Sequence, residues 1–190
     1  MKSLHLFSLL LSYPTQDLQA VCGEIRDRLS ADKSLPPDTA KRLHPLLTRL
    51  AASDVYDAQE AYVELFDRGR AHSLHLFEHV HGESRDRGQA MVDLRDMYEK
   101  VGLFIDTNEL PDYLPLFLEF LSLRPVEEAR TLLADTAHIL AALAERLGRR
   151  QSPYLYAIIM LNAQSGRHRR MGFGTCASGT DRRSRCPTKR

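Results

Sequence analysis

The chain has 190 residues, 43% of them hydrophobic, with 26 Lys/Arg against 25 Asp/Glu and three cysteines, which suits one globular domain with a sizeable core. The charge is uneven: residues 166–190 hold eight Lys/Arg and one Asp, a net of +7, which leaves the first 165 residues at −6. An acidic body argues against a nucleic-acid partner, since duplex affinity comes from cations on phosphates, and it suits a basic protein or peptide partner instead.

Apolar residues recur at three- and four-residue spacing almost throughout, with no alternating strand-like runs, so the pattern predicts an all-α, single-domain helical bundle over residues 1–165. The first helix is expected over 2–12, where Leu4, Phe7, Leu10 and Leu11 share a face. His5 interrupts the run and no small-residue cleavage site follows, so a signal peptide is not expected. Further helices are expected over 15–31, 38–52, 54–67, 84–101, 109–123, 126–148 and 153–164. Asp38 stands where a cap is needed, Pro125 opens a helix whose first turn holds Glu127 and Glu128, and Gly148 reads as a C-cap. Cys22, Cys176 and Cys186 form no close metal-binding pair or disulfide framework, which fits a reducing cytoplasm. No stretch of 18 apolar residues exists to span a membrane, and no membrane insertion is expected. From Gly166 the sequence loses its periodicity and turns Arg-rich, which predicts a basic, disordered or non-native tail over 166–190.

The densest chemistry lies in "LHLFEHVHGESRDRGQAM", residues 74–91. His72, His75 and His79 would form a stripe if the segment were helical, and His79, His81 and Glu83 have the chemistry of a zinc or iron site. That reading makes the chain a metal-dependent hydrolase. Alternate residues on a helix diverge by about 160°, however, and no H-E-x-x-H or C-x-x-C motif supports the cluster. A turn at Gly82 and a helix capped by Ser84 account for the same residues, with Arg85, Asp86, Arg87, Asp93, Arg95 and Asp96 outside and Met91, Leu94, Met97, Tyr98 and Val101 inside. Gly88 within that helix costs about 1 kcal/mol relative to Ala, which a close backbone approach would explain. In "ELPDYLP", Asp112 is placed to cap a helix beginning near Leu114, or to be displayed with Tyr113 by a proline loop for pairing with a partner's arginine. Tyr62, Leu65 and Phe66 share a face of their helix. No nucleophile elbow, phosphate loop or dinucleotide fingerprint is present, so the residues favour binding over catalysis.

The run "YVELFDRGRAHSLHLFEHVHGESRDRGQAMVDL" (Tyr62 to Leu94) followed by "NELPDYLPLFLEFL" (Asn108 to Leu121) closely resembles the delta subunits of respiratory nitrate reductases, which are molybdenum-cofactor assembly chaperones of the wider TorD-like redox-enzyme maturation family. The resemblance covers about residues 1–165. It implies a cytoplasmic, non-catalytic chaperone with no cofactor or metal of its own. Its partner would be the apo catalytic alpha subunit, held by its N-terminal segment while molybdenum cofactor and an iron–sulfur cluster are inserted, before membrane anchoring and with cofactor-delivery proteins as further partners. It also implies a client-peptide groove at Tyr62, Leu65, Phe66, Glu109, Pro111, Asp112, Tyr113 and Leu114, with Asp112 pairing to basic residues of the client and His79, His81, Glu83, Arg85 and Arg87 as further client surface. Tyr113 stands where much of the wider family has histidine.

Overall fold

The computed structural model describes residues 2–80, 85–106 and 108–166; these hold ten α-helices and no strand. His81, Gly82, Glu83 and Ser84, and with them the expected turn and cap, lie outside the described residues, as does the tail beyond Gly166.

The core is organised on α1 (Lys2–Leu11) and α7 (Leu114–Ser122), which make the most extensive helix–helix contact of the fold. Leu4, Phe7, Leu10 and Leu11 of α1 and Leu114, Leu118 and Leu121 of α7 have no exposed surface. Each such side chain contributes about 1.5–3 kcal/mol by leaving water. Ser8 keeps the two helices close because its small side chain fits at the contact, where its hydroxyl donates to the Pro115 carbonyl at 2.7 Å.

α2 (Gln16–Ala31) and α3 (Thr39–Ala52) pack as a hairpin behind α1. Thr15 caps α2 by accepting from the Leu18 amide at 3.1 Å. Asp38 occupies the position before α3, but its backbone is not extended and its side chain makes no capping bond. α4 (Val55–Phe66) is capped by Asp54, which accepts from the Tyr56 amide at 2.8 Å. α6 (Asp86–Glu99) buries only Leu94 and Tyr98 and leaves Val101 beyond its end exposed, and among the described residues no atom makes the expected close approach at Gly88.

Three further expectations are corrected. The helix expected over 126–148 is two, α8 (Val126–Asp135) and α9 (Ala137–Arg149). Between them the buried Thr136 turns its hydroxyl back onto the Leu133 carbonyl at 2.8 Å, giving the chain a local partner in place of the helical one. Gly148 does not end α9. Gln151 takes the left-handed conformation instead (φ 50°), with its amide on the Gly148 carbonyl and the Ser152 amide on the Leu147 carbonyl, both at 3.0 Å. The chain then enters α10 (Leu155–Gln164). Finally, the helix expected from 109 begins at Leu114. A five-residue helix, α5 (Leu76–Val80), lies between the helices expected over 54–67 and 84–101. Among the described residues no helix is long and apolar enough to cross a membrane.

Candidate functional site around α4 and the 108–114 loop

Residues 74–77 and 112–114 run antiparallel and zip together. The Leu114 amide donates to the Leu74 carbonyl at 2.8 Å and the Leu76 amide to the Asp112 carbonyl at 3.0 Å, which frames an isolated bridge between His75 and Tyr113. Asp112 is the knot. It is fully buried, one carboxylate oxygen accepts from the Phe77 amide at 3.0 Å, and the other accepts from His75 Nδ1 at 3.2 Å. Its negative charge sits at the start of α5, where unsatisfied amides favour an anion. Asp112 therefore caps α5, thirty-five residues upstream, rather than α7, whose N-terminal position is Tyr113 with no side-chain capping bond. The hydrogen bond to Asp112 raises the His75 pKa above its ordinary value, against the opposing effect of burial, and Glu78 and Glu109 act in the same upward direction.

The loop is tied at two further points. Tyr98 donates to the Pro111 carbonyl at 2.8 Å, and its ring packs on Phe120 at 4.7 Å. Tyr62 donates to the Leu11 carbonyl at 2.8 Å and shares a 2.6 Å contact with the Tyr113 hydroxyl. Burial pushes the Tyr113 phenol up to about 12 and the Tyr62 phenol further, so both stay neutral. Rings of Tyr13, Phe66 and Tyr154 surround Tyr62, with centroids 5.6, 4.8 and 6.3 Å away.

The structure thus gathers the expected groove residues into one region and divides them by depth. Tyr62, Phe66, Pro111, Asp112 and Leu114 are buried, while Leu65 and Tyr113 are half-buried and Glu109 is exposed. In this conformation Asp112 offers no surface to an arginine of a partner, and both of its oxygens are engaged inside the protein. Tyr13 and Leu110, 43% and 44% exposed, flank the region and were not marked in the sequence.

The segment is not one helix, and the histidines form no stripe: His72 lies in a turn, His75 in the bridge, and only His79 in α5. His79 Nε2 donates to the Ser73 carbonyl at 2.8 Å, which ties α5 to the segment before it, and Nδ1 faces Arg146 Nη1 at 3.3 Å, which docks α5 on α9. A metal at His79 would have to displace one of these. Among the described residues no cluster of three His, Cys, Asp or Glu is arranged to hold a metal ion. Arg87 pairs with Glu78 at 3.6 Å, which ties α6 to α5, while Arg85 is exposed at the start of α6.

On the outer side of α4, Leu65 opens onto a cavity of about 250 Å³ between α3, α4 and the turn before α10. Ala58 and Ala61 form its floor. The sequence signal was the spacing of Ala58 and Ala61, two small residues on the face of α4 that also carries Leu65.

Compared with known proteins, residues 32–160 match the family described as nitrate reductase delta subunit. The chain belongs to this family. It is 52% identical over 154 residues to the nitrate reductase molybdenum cofactor assembly chaperone NarJ of Escherichia coli (strain K12), an alignment covering 81% of this chain and 65% of that protein. It is 32% identical over 166 residues to the probable nitrate reductase molybdenum cofactor assembly chaperone NarJ of Bacillus subtilis (strain 168), covering 82% and 84% of the two chains. The crystal structure of a candidate redox enzyme maturation protein from Archaeoglobus fulgidus superposes with a TM-score of 0.60 at 22% identity, over 85% of this chain and 91% of that one, and shares the all-helical fold. The chain spans about two-thirds, 65%, of the E. coli relatives it matches. The matched segment contains the cavity at Leu65, the 108–114 loop and α5.

Proposed function

We propose that this chain is a system-specific chaperone of a respiratory nitrate reductase. It binds the apo catalytic alpha subunit by its N-terminal segment, assists insertion of molybdenum cofactor and an iron–sulfur cluster, and releases the subunit before membrane anchoring. It works in the cytoplasm, with cofactor-delivery proteins as further partners, and performs no chemistry itself. The observation that carries this reading is the 52% identity to an assembly chaperone across 154 residues, a span that includes both halves of the α4 region. The depth ordering supports a particular division of labour. Leu65, Tyr113, Glu109, Tyr13 and Leu110 present surface to the client, while Tyr62, Phe66, Asp112 and Leu114 hold that surface in place from beneath. An apolar face of the client segment lies along α4, and its basic residues meet Glu109 and Asp67 in the field of the acidic body.

The test is co-purification of this chain with the apo catalytic subunit, with molybdenum and iron content of the subunit measured in cells that have or lack the chaperone. Cofactor content that does not depend on the chain, or a catalytic subunit that never co-purifies with it, would falsify the reading. The variant Tyr113→Ala should weaken the association, because it removes the half-buried ring between Tyr62 and His75.

A further inference from the structure

The cavity beside Leu65 combines an apolar lining with two arginines, against the net negative charge of the body. Its walls are fixed core side chains: Leu46, Leu50 and Tyr154 are at most 7% exposed. Ala58 and Ala61 contribute only methyl groups to its lining. An apolar cavity of roughly 150 Å³ already accepts a benzene-sized guest, so about 250 Å³ takes one Leu, Met or Phe side chain.

Its rim is cationic. Arg49, in the last turn of α3, and Arg150, at the end of α9, both line the opening, and neither has a carboxylate partner among the described residues. Glu64, the acidic group at this rim, is engaged by Arg68 at 3.3 Å. Elsewhere on the described surface arginines are commonly paired: Arg28, Arg124 and Arg149 each meet a carboxylate one helical turn away. Gln151, a non-glycine residue in the left-handed region, also stands at the lip, and such strain gathers where a binding surface is shaped. The turn is nevertheless fixed by two backbone hydrogen bonds of 3.0 Å, so the lip is preformed.

We infer that this cavity is the anchor pocket for a client segment in which a large apolar side chain stands beside an acidic residue: the apolar group fills the space over Ala58 and Ala61 and the carboxylate bridges Arg49 and Arg150. The inference rests on the chaperone reading above and adds a charge requirement opposite in sign to that of the acidic body. A segment that binds along α4 then carries basic residues toward Asp67 and Glu109 at one end and an acidic residue at the other, which fixes its direction. Complementary charge of this kind sets orientation and partner choice more than bulk affinity.

The experiment uses 15-residue peptides tiled along the catalytic subunit and titrated against three full-length proteins: wild type, the double variant Arg49→Glu/Arg150→Glu, and Ala61→Leu. Arg49 and Arg150 are exposed, so the double variant should keep its fold, checked by circular dichroism. The expected result is that the tightest wild-type binders contain Asp or Glu three or four positions from a large apolar residue. Their affinity should fall at least tenfold against both variants, and exchanging that acid for Lys should restore binding to the double variant. Peptides that bind all three proteins equally leave the chaperone reading standing and overturn the pocket. Loss in Ala61→Leu alone, with the double variant unchanged, overturns the charged rim. If no tiled peptide binds even wild type, the client-segment reading fails, and the pocket assignment with it.

Discussion

Helix α7 meets the rest of the protein in two ways that obey different physics. Along its length Leu114, Leu118 and Leu121 press on Leu4, Phe7, Leu10 and Leu11, a contact made of apolar area with few directional demands. At its N-terminal end the chain instead enters a knot of polar groups: Asp112 with His75 and the Phe77 amide, Tyr98 with Pro111, and Tyr62 with Leu11 and Tyr113. The apolar contact supplies stability and tolerates substitution by similar shapes. The polar knot adds less net stability, but it sets where the 108–114 loop sits, because its buried donors and acceptors are satisfied only in this arrangement.

Truncation of the core should therefore have the largest effect. Leu118→Ala removes a fully buried side chain at the centre of the α1–α7 contact and should destabilise the protein by about 2–5 kcal/mol, read from urea unfolding. A loss well under 1 kcal/mol would mean that α1 and α7 are not packed as described. Asp112→Ala comes next, at about 1–3 kcal/mol, since it strands the Phe77 amide at the start of α5. The two variants should also differ in kind. Leu118→Ala lowers the stability of the whole fold, whereas Asp112→Ala should loosen α5 first, seen as early proteolysis near residues 76–80. Asp112→Asn keeps an acceptor for that amide and should fall between wild type and Ala. If Asn is as harmful as Ala, charge rather than hydrogen bonding holds α5.

This contrast explains what could be read from the sequence. The apolar contact is encoded locally, by Leu and Phe at helical spacing within α1 and within α7, so both helices and the all-α class were legible from periodicity alone. The knot is encoded by partners far apart in sequence. Asp112 reads as the cap of the helix that follows it, yet the amide it satisfies lies thirty-five residues earlier. α5 has five residues, too few to show a period, and depends on that distant carboxylate. Thr136 splits an otherwise continuous pattern with a single side-chain hydrogen bond, which no periodicity records. For the site, the groove residues that the resemblance implies lie on α4 and on the 108–114 loop, joined by the Tyr62–Tyr113 contact. Their division into buried supports and surface contacts, and the cavity floored by Ala58 and Ala61, required the fold.

The knot should also carry a modest pH signature that the core lacks. His75 has a raised pKa in the folded protein, through its hydrogen bond to Asp112 first and the nearby Glu78 and Glu109 charges next, with burial opposing them. A group whose folded pKa exceeds its unfolded value of about 6.5 contributes stability that is complete below that pH and is lost as pH rises through the raised folded value. The stability deficit of His75→Gln relative to wild type should accordingly be largest in mildly acidic buffer and shrink toward alkaline pH. The deficit of Leu118→Ala should stay level over the same range. A His75→Gln deficit that grows with pH would reverse the sign and exclude the His75–Asp112 pair as its source.

The smallest effect expected lies away from both regions, on α6. Gly88 is exposed within that helix, its backbone is not left-handed, and a Cβ placed there would meet no atom within 4 Å. Nothing inside the described protein therefore requires glycine at this position. Glycine costs a helix about 1 kcal/mol relative to alanine, mostly through the entropy of the unfolded chain, so Gly88→Ala should stabilise by about 0.5–1 kcal/mol. α6 holds few buried residues, chiefly Leu94 and Tyr98, so the gain should appear as slower hydrogen exchange within 86–99 more clearly than as a shift in global unfolding. Outright destabilisation would show that α6 packs more closely than its open surroundings indicate. A stabilised protein that associates less well with the proposed client subunit would instead locate the reason for Gly88 in that client, as a point of close backbone approach on a face that the core does not use.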